Sequence, residues 1–120
     1  MMHAMKIFDF IHTRRGRVTL LALDAPITEW ENVQAAIESA LHHEERVTEA
    51  INALMELARN ERDLATESFL QWFVDEQVEE EEVVDSLLQK LKQIGDHKPS
   101  LYLLDRDLSL EVAMPHEDEN

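Results

Sequence analysis

Apolar side chains recur at steps of three and four along two long stretches of this chain. On Val33–Arg59 they fall at Val33, Ile37, Leu41, Val47, Ile51, Leu54 and Ala58; on Leu64–Ile94 they fall at Phe69, Phe73, Val84, Leu87 and Leu91. That spacing places each set on one face of an α-helix. Both stripes are interrupted near the middle, the first by Glu44 and the second by Gln77 and Glu80. At helical period these three side chains point towards the predicted core. A buried carboxylate without a partner costs on the order of several kcal/mol, and it either takes up a proton or finds a cation. The same interruption on two helices predicts a polar site inside a bundle.

The remaining pattern supplies shorter elements. Met1 to about Arg14 reads as an amphipathic helix with Met2, His3, Ile7, Phe8 and Phe10 on its apolar side. Gly16 ends it, with Arg14 and Arg15 in the last turn, where cations favour the helix dipole. Arg17–Glu31 carries Val18, Leu20, Leu21 and Leu23, and Pro26 forbids a continuing helix, so the segment is predicted to cross the molecule in extended form. Asn32 is positioned to cap the first long helix, and Asp63 the second, with Glu67 in its early turns. The break at Asn60–Asp63 is short, so the two long helices should be antiparallel neighbours. Gly95 stops the second, and Ser100–Leu110 is predicted to be a small terminal helix capped by Ser100. The fold class is all-α, with residues 1–110 as one helical domain and Glu111–Asn120 as a mobile acidic tail.

Composition narrows the function. The chain has 120 residues, 44% of them hydrophobic, with two glycines and three prolines, which suits long uninterrupted helices. Its net charge of -15 makes nucleic acid an unsuitable partner and cations a suitable one. The absence of cysteine excludes disulfides, zinc fingers and iron–sulfur ligation. The N-terminus lacks the order of a secretory signal, and no apolar run reaches the roughly 18 residues of a membrane span, so a cytoplasmic location is expected, with no membrane partner.

Taken singly, each polar residue on the stripes has an ordinary reading. Glu44 suits the boundary of a slightly rotated helix, Gln77 and Glu80 a hydrated patch, and His3 a boundary position. Taken together, three helical segments each direct an oxygen or nitrogen donor at the core. Carboxylates with an imidazole and no thiol suit iron or manganese, and inward-facing Glu and His in a helix bundle are the di-iron carboxylate pattern. Glu76 and Glu79 adjoin the Gln77–Glu80 row and could form an outer cation site. Glu81 and Glu82 are expected to face water, as are His12, His42, His43, His97 and His116.

The chain resembles the bacterial non-haem ferritins. The resemblance runs through HAMKIFDFI at the start, LDAPITEW in the crossover, ALHHEERVTEAINAL, FLQWFVDEQVEEE and SLYLLDRDLS, and it covers nearly the whole chain. It implies a ferritin-like four-helix bundle with a long crossover and a short C-terminal fifth helix. It also implies iron (Fe2+/Fe3+) at a di-iron centre, ferroxidase chemistry with oxygen, storage of ferric mineral and a 24-subunit homo-oligomeric shell. Carried over by motif, His3 is the ferroxidase-centre histidine, Glu44 and Glu80 are ligands of the second iron with Gln77 beside them, and Glu76 and Glu79 match an auxiliary third-iron site. The pattern also departs from the family. The Glu of its Glu-x-x-His motif would precede Met1, and the family's first helix and about half of its second have no counterpart. The expectation is therefore an N-terminally truncated bundle with impaired oxidation, which fills its exposed groove by self-association. The alternative is a non-enzymatic acidic helical assembly module or ferritin fragment. A generic acidic coiled coil fits less well, because heptads are not sustained and Gln77 and Glu80 would sit in the seam.

Overall fold

The computed structural model describes residues 2–26, 29, 31–95 and 97–113. These form four helices, α1 (Met2–Thr13), α2 (Val33–Asn60), α3 (Leu64–Ile94) and α4 (Lys98–Ala113). Ile27, Thr28 and Trp30 of the crossover, and residues 114–120 of the expected acidic tail, lie outside the described residues. α4 itself continues three residues past the expected boundary at Leu110, to Ala113.

α2 and α3 form an antiparallel pair, and their ends are set by local chemistry. Asn32 Oδ1 accepts from the Ala35 backbone N–H at 2.8 Å and starts α2. Asp63 accepts from the Thr66 backbone N–H at 3.2 Å and starts α3. Between them the chain turns through Arg62, whose φ of 56° is left-handed. Asp63 N–H reaches back to Ala58 O (2.9 Å) and Arg62 N–H to Arg59 O (3.1 Å), the pair of bonds that closes a Schellman motif. α1 ends in the same way. Gly16 N–H bonds to Ile11 O at 2.8 Å, Arg15 N–H to His12 O at 3.0 Å, and the left-handed residue is Arg15 with φ 67°. Gly16 thus has a different task from supplying a left-handed backbone: a Cβ placed there would lie 2.7 Å from Ile11 Cγ2.

Two apolar clusters hold α2 and α3 together. Ile51, Met55, Ala58, Leu70 and Phe73 fill one end, with Val47, Phe69, Trp72 and Val74 around them. Ile37, Leu88 and Leu91 fill the other, beneath Leu41, Val84, Leu87, Leu101 and Leu104. The core face differs from the expected stripe in detail. Leu54 is 49% exposed while Met55 is buried, because the step from Ile51 that reaches α3 is four residues, not three. Val33, the first residue of α2, is exposed, as is Ile7 of α1. Ring contacts join α1 to α3. Phe10 stacks on Phe69 with centroids 3.9 Å apart and planes at 7°.

The crossover has no regular structure where it is described, and Leu20, Leu21 and Leu23 are 85%, 79% and 93% exposed. α4 begins at Lys98 with Pro99 in its first turn, so Ser100 is inside the helix and does not cap it. His97 does so, its Nδ1 accepting from the Ser100 backbone N–H at 3.3 Å. No helix among the described residues is long and apolar enough to cross a membrane.

Candidate metal centre

The two apolar clusters are separated by a polar layer, and the stripe interruptions are its members. Gln77 is 3% exposed, and Glu44 and Glu80 are half-buried. The layer divides into two adjoining groups of side chains.

The first group brings α1 and α3 together. His3, Glu76 and Glu80 each offer one ligand atom, and these atoms lie within 4.8 Å of one another. Glu76 and Glu80 are one helical turn apart on α3, so both carboxylates share a face. His3 comes from the start of α1, and its ring is held edge-on against Trp72 (centroids 5.1 Å, 90°) and Phe73 (5.8 Å, 86°). Lys6 Nζ sits 3.3 Å from the centre of the Trp72 ring, a cation–π contact that secures the same wall. The grouping revises the place given to Glu76. Its period set it beside the inner row, in an outer site with Glu79; here Glu76 is half-buried with His3 and Glu80, while Glu79 is exposed.

The second group joins α2 to α3. Gln77 Nε2 donates towards Glu44 O (3.1 Å), Glu44 Oε2 (3.2 Å) and Thr48 Oγ1 (3.0 Å). All three are oxygens able to accept, so the amide must turn its nitrogen to α2. The Thr48 hydroxyl in turn lies 3.1 Å from Glu81 Oε1. Glu81 is therefore half-buried and partnered, contrary to the water-facing position expected for it; Glu82 is exposed. The register explains the difference. Glu81 follows Gln77 by four residues and Thr48 follows Glu44 by four, so both continue the polar layer towards solvent. That spacing is the signal in the sequence that could have found them.

Two oxygen donors and an imidazole, all half-buried, fit a divalent first-row metal such as iron. The aromatic wall limits the freedom of His3, and every buried side-chain N or O among the described residues has a hydrogen-bond partner.

Comparison with known proteins gives one consistent family. The ferritin-like domain model matches residues 1–94. A bacterial non-heme ferritin of Staphylococcus saprophyticus is 39% identical over 107 residues, which cover 89% of this chain and 64% of the relative. A probable bacterial non-heme ferritin-like protein of Haemophilus influenzae is 35% identical over 108 residues, 90% of this chain and 66% of its own length. Among solved structures, a novel open pore ferritin from the hyperthermophilic archaeon Archaeoglobus fulgidus superposes with a TM-score of 0.89 at 50% identity, over 91% of this chain and 67% of that one. The chain thus spans 64–66% of the length of these curated relatives.

Proposed function

This chain belongs to the ferritin-like family, and from that premise we propose that it binds iron among its helices and serves iron storage. The observation that carries the reading is the convergence of His3, Glu76 and Glu80 within 4.8 Å. Fe(II) is the substrate. His3, Glu80 and Glu76 take the first ion, and Glu44, with Gln77 beside it, serves a second. Glu79, exposed on the same helix, is left for an outer, third position. Anionic oxygens favour Fe(III) over Fe(II), because each added metal charge gains attraction in a partly desolvated site. The ferroxidase step, in which Fe(II) loses an electron to dioxygen, draws on that preference. The reading includes assembly of copies of this chain into a homo-oligomer, supported by the exposed Leu20, Leu21 and Leu23, up to the 24-subunit shell, and a cytoplasmic location.

Anaerobic titration with Fe(II), followed by addition of oxygen, tests it. Tight binding by the parent and its loss in the Glu44→Gln/Glu80→Gln double variant is the expected result. Binding falls at low pH as the carboxylates protonate. A double variant that binds as well as the parent would place the site elsewhere. Binding without catalysed oxidation would favour the non-enzymatic assembly module. Light scattering on the same sample reads the self-association; a monomer contradicts that half.

A further inference from the structure

We propose that Thr48 and Glu81 are positioning residues for this centre: a hydrogen-bond chain from Glu81 through Thr48 and Gln77 fixes the Glu44 carboxylate. The inference rests on the iron-binding reading above. The directions of the bonds follow from donor and acceptor counts. Glu44 O already accepts the α-helical N–H of Thr48, and it also lies 3.1 Å from Gln77 Nε2. Its two lone pairs are then used. The Thr48 hydroxyl has one proton and two acceptors in reach, Glu44 O at 3.0 Å and Glu81 Oε1 at 3.1 Å. The free acceptor is the carboxylate, which also makes the stronger bond. So Thr48 gives its proton to Glu81, and its oxygen lone pairs turn to Gln77 Nε2 at 3.0 Å. One amide proton of Gln77 is thereby engaged, and the other is left for Glu44, shared between its carbonyl and Oε2 at 3.2 Å. Gln77 cannot flip without facing three acceptors with a fourth. The amide orientation holds the Glu44 carboxylate against α3 at Gln77, which lies between Glu76 and Glu80 in sequence.

Glu81 anchors the outer end of this chain at the surface. It lines a groove of about 450 Å³ between α2 and α3, with Leu41, Glu45, Val78, Glu82 and Asp85. A carboxylate at that rim accepts the Thr48 hydroxyl proton and so ends the chain on a group that is itself an acceptor. Without Glu81 the Thr48 hydroxyl would lose its one free acceptor, and the lone pair it turns to Gln77 would no longer be fixed in place.

Cobalt(II), titrated into the full chain and read by its visible ligand-field absorption, provides the probe. Thr48→Val keeps the shape and removes the hydroxyl; by analogy with outer partners of metal ligands, cobalt affinity should fall about 10–100-fold. Thr48→Ser, which restores a hydroxyl, should bring it back close to the parent. Glu81→Ala should weaken binding in the same direction, and adding it to Thr48→Val should change nothing more, because the chain is already cut. In the metal-free protein, the Gln77 side-chain amide resonances should move in Thr48→Val and return in Thr48→Ser. A parent that binds cobalt while Thr48→Val binds it equally overturns the inference alone. So do additive effects of the two substitutions, or a Thr48→Ser variant no better than Thr48→Val. A parent with no cobalt band overturns the iron-binding reading and this inference with it.

Discussion

The two ends of the α2–α3 pair are packed by different means. At the end near the α2–α3 turn, Phe69, Trp72 and Phe73 make an aromatic wall over Ile51, Met55, Ala58 and Leu70. At the far end the core is aliphatic, with Ile37, Leu88 and Leu91 under Leu101 and Leu104 of α4. The difference lies in what each end can hold. Flat rings pack edge to face at set angles, as His3 does on Trp72 and Phe73. An imidazole placed there is oriented without a hydrogen bond to either ring. Leucine and isoleucine side chains offer no comparable seat for a polar ring, and the aliphatic end contributes stability without chemistry. The candidate centre accordingly lies where the polar layer meets the aromatic end.

Cutting the aromatic wall should have the largest effect. Phe73→Ala leaves a cavity beneath His3 and should cost about 3–5 kcal/mol of stability, read from urea unfolding. Leu88→Ala at the aliphatic end should cost about 2–3 kcal/mol, because Leu101 and Leu104 on the short α4 can close in on the gap. The comparison breaks if Leu88→Ala is the more damaging of the two. A smaller loss, of about 1 kcal/mol, is expected from Asn32→Ala, which removes the cap of α2 at the aliphatic end.

Acid should act on the aromatic end through Asp63. Hydrogen bonds from the Thr66 side chain and then its backbone hold the carboxyl below the ordinary carboxylate value; burial opposes them, and the Arg14 guanidinium, the smallest influence, adds to them. A group with a lowered folded pKa adds stability that is complete above its unfolded value, about 4, and is lost as pH falls through the folded one. The parent should therefore lose more stability below about pH 4 than Asp63→Asn, whose amide oxygen still caps α3. Equal acid profiles would show that this end gains nothing from the charge. The smallest effect belongs to Glu82→Gln. Glu82 is exposed on the groove rim, and the change should move stability by less than about 0.5 kcal/mol.

Much of the fold was legible because helical period is a local property. Steps of three and four identified α2 and α3, Asn32 and Asp63 marked their starts, and the short break between them required antiparallel packing. The stripe interruptions Glu44, Gln77 and Glu80 were legible as polar positions on a core face for the same reason. Which neighbour each interruption meets was not. A period cannot choose between Leu54 and Met55, since 100° per residue leaves both near the edge of the apolar face; contact with α3 buries Met55. Nor could it separate Glu81 from Glu82, adjacent members of an acidic run, because only the opposing Thr48 makes one of them a partner.

The sequence by itself determined the helices, their antiparallel order, the acidic charge and the presence of donors on the inner faces. These follow from spacing, capping and composition, which act within a few residues along the chain. The tertiary structure decided that His3 joins Glu76 and Glu80, that Gln77 turns its nitrogen to Glu44, and that Trp72 meets both Lys6 and His3. Those pairings depend on the rotation and offset of one helix against another. A shift of a single residue along α3 would turn a side chain by about 100° and exchange every partner.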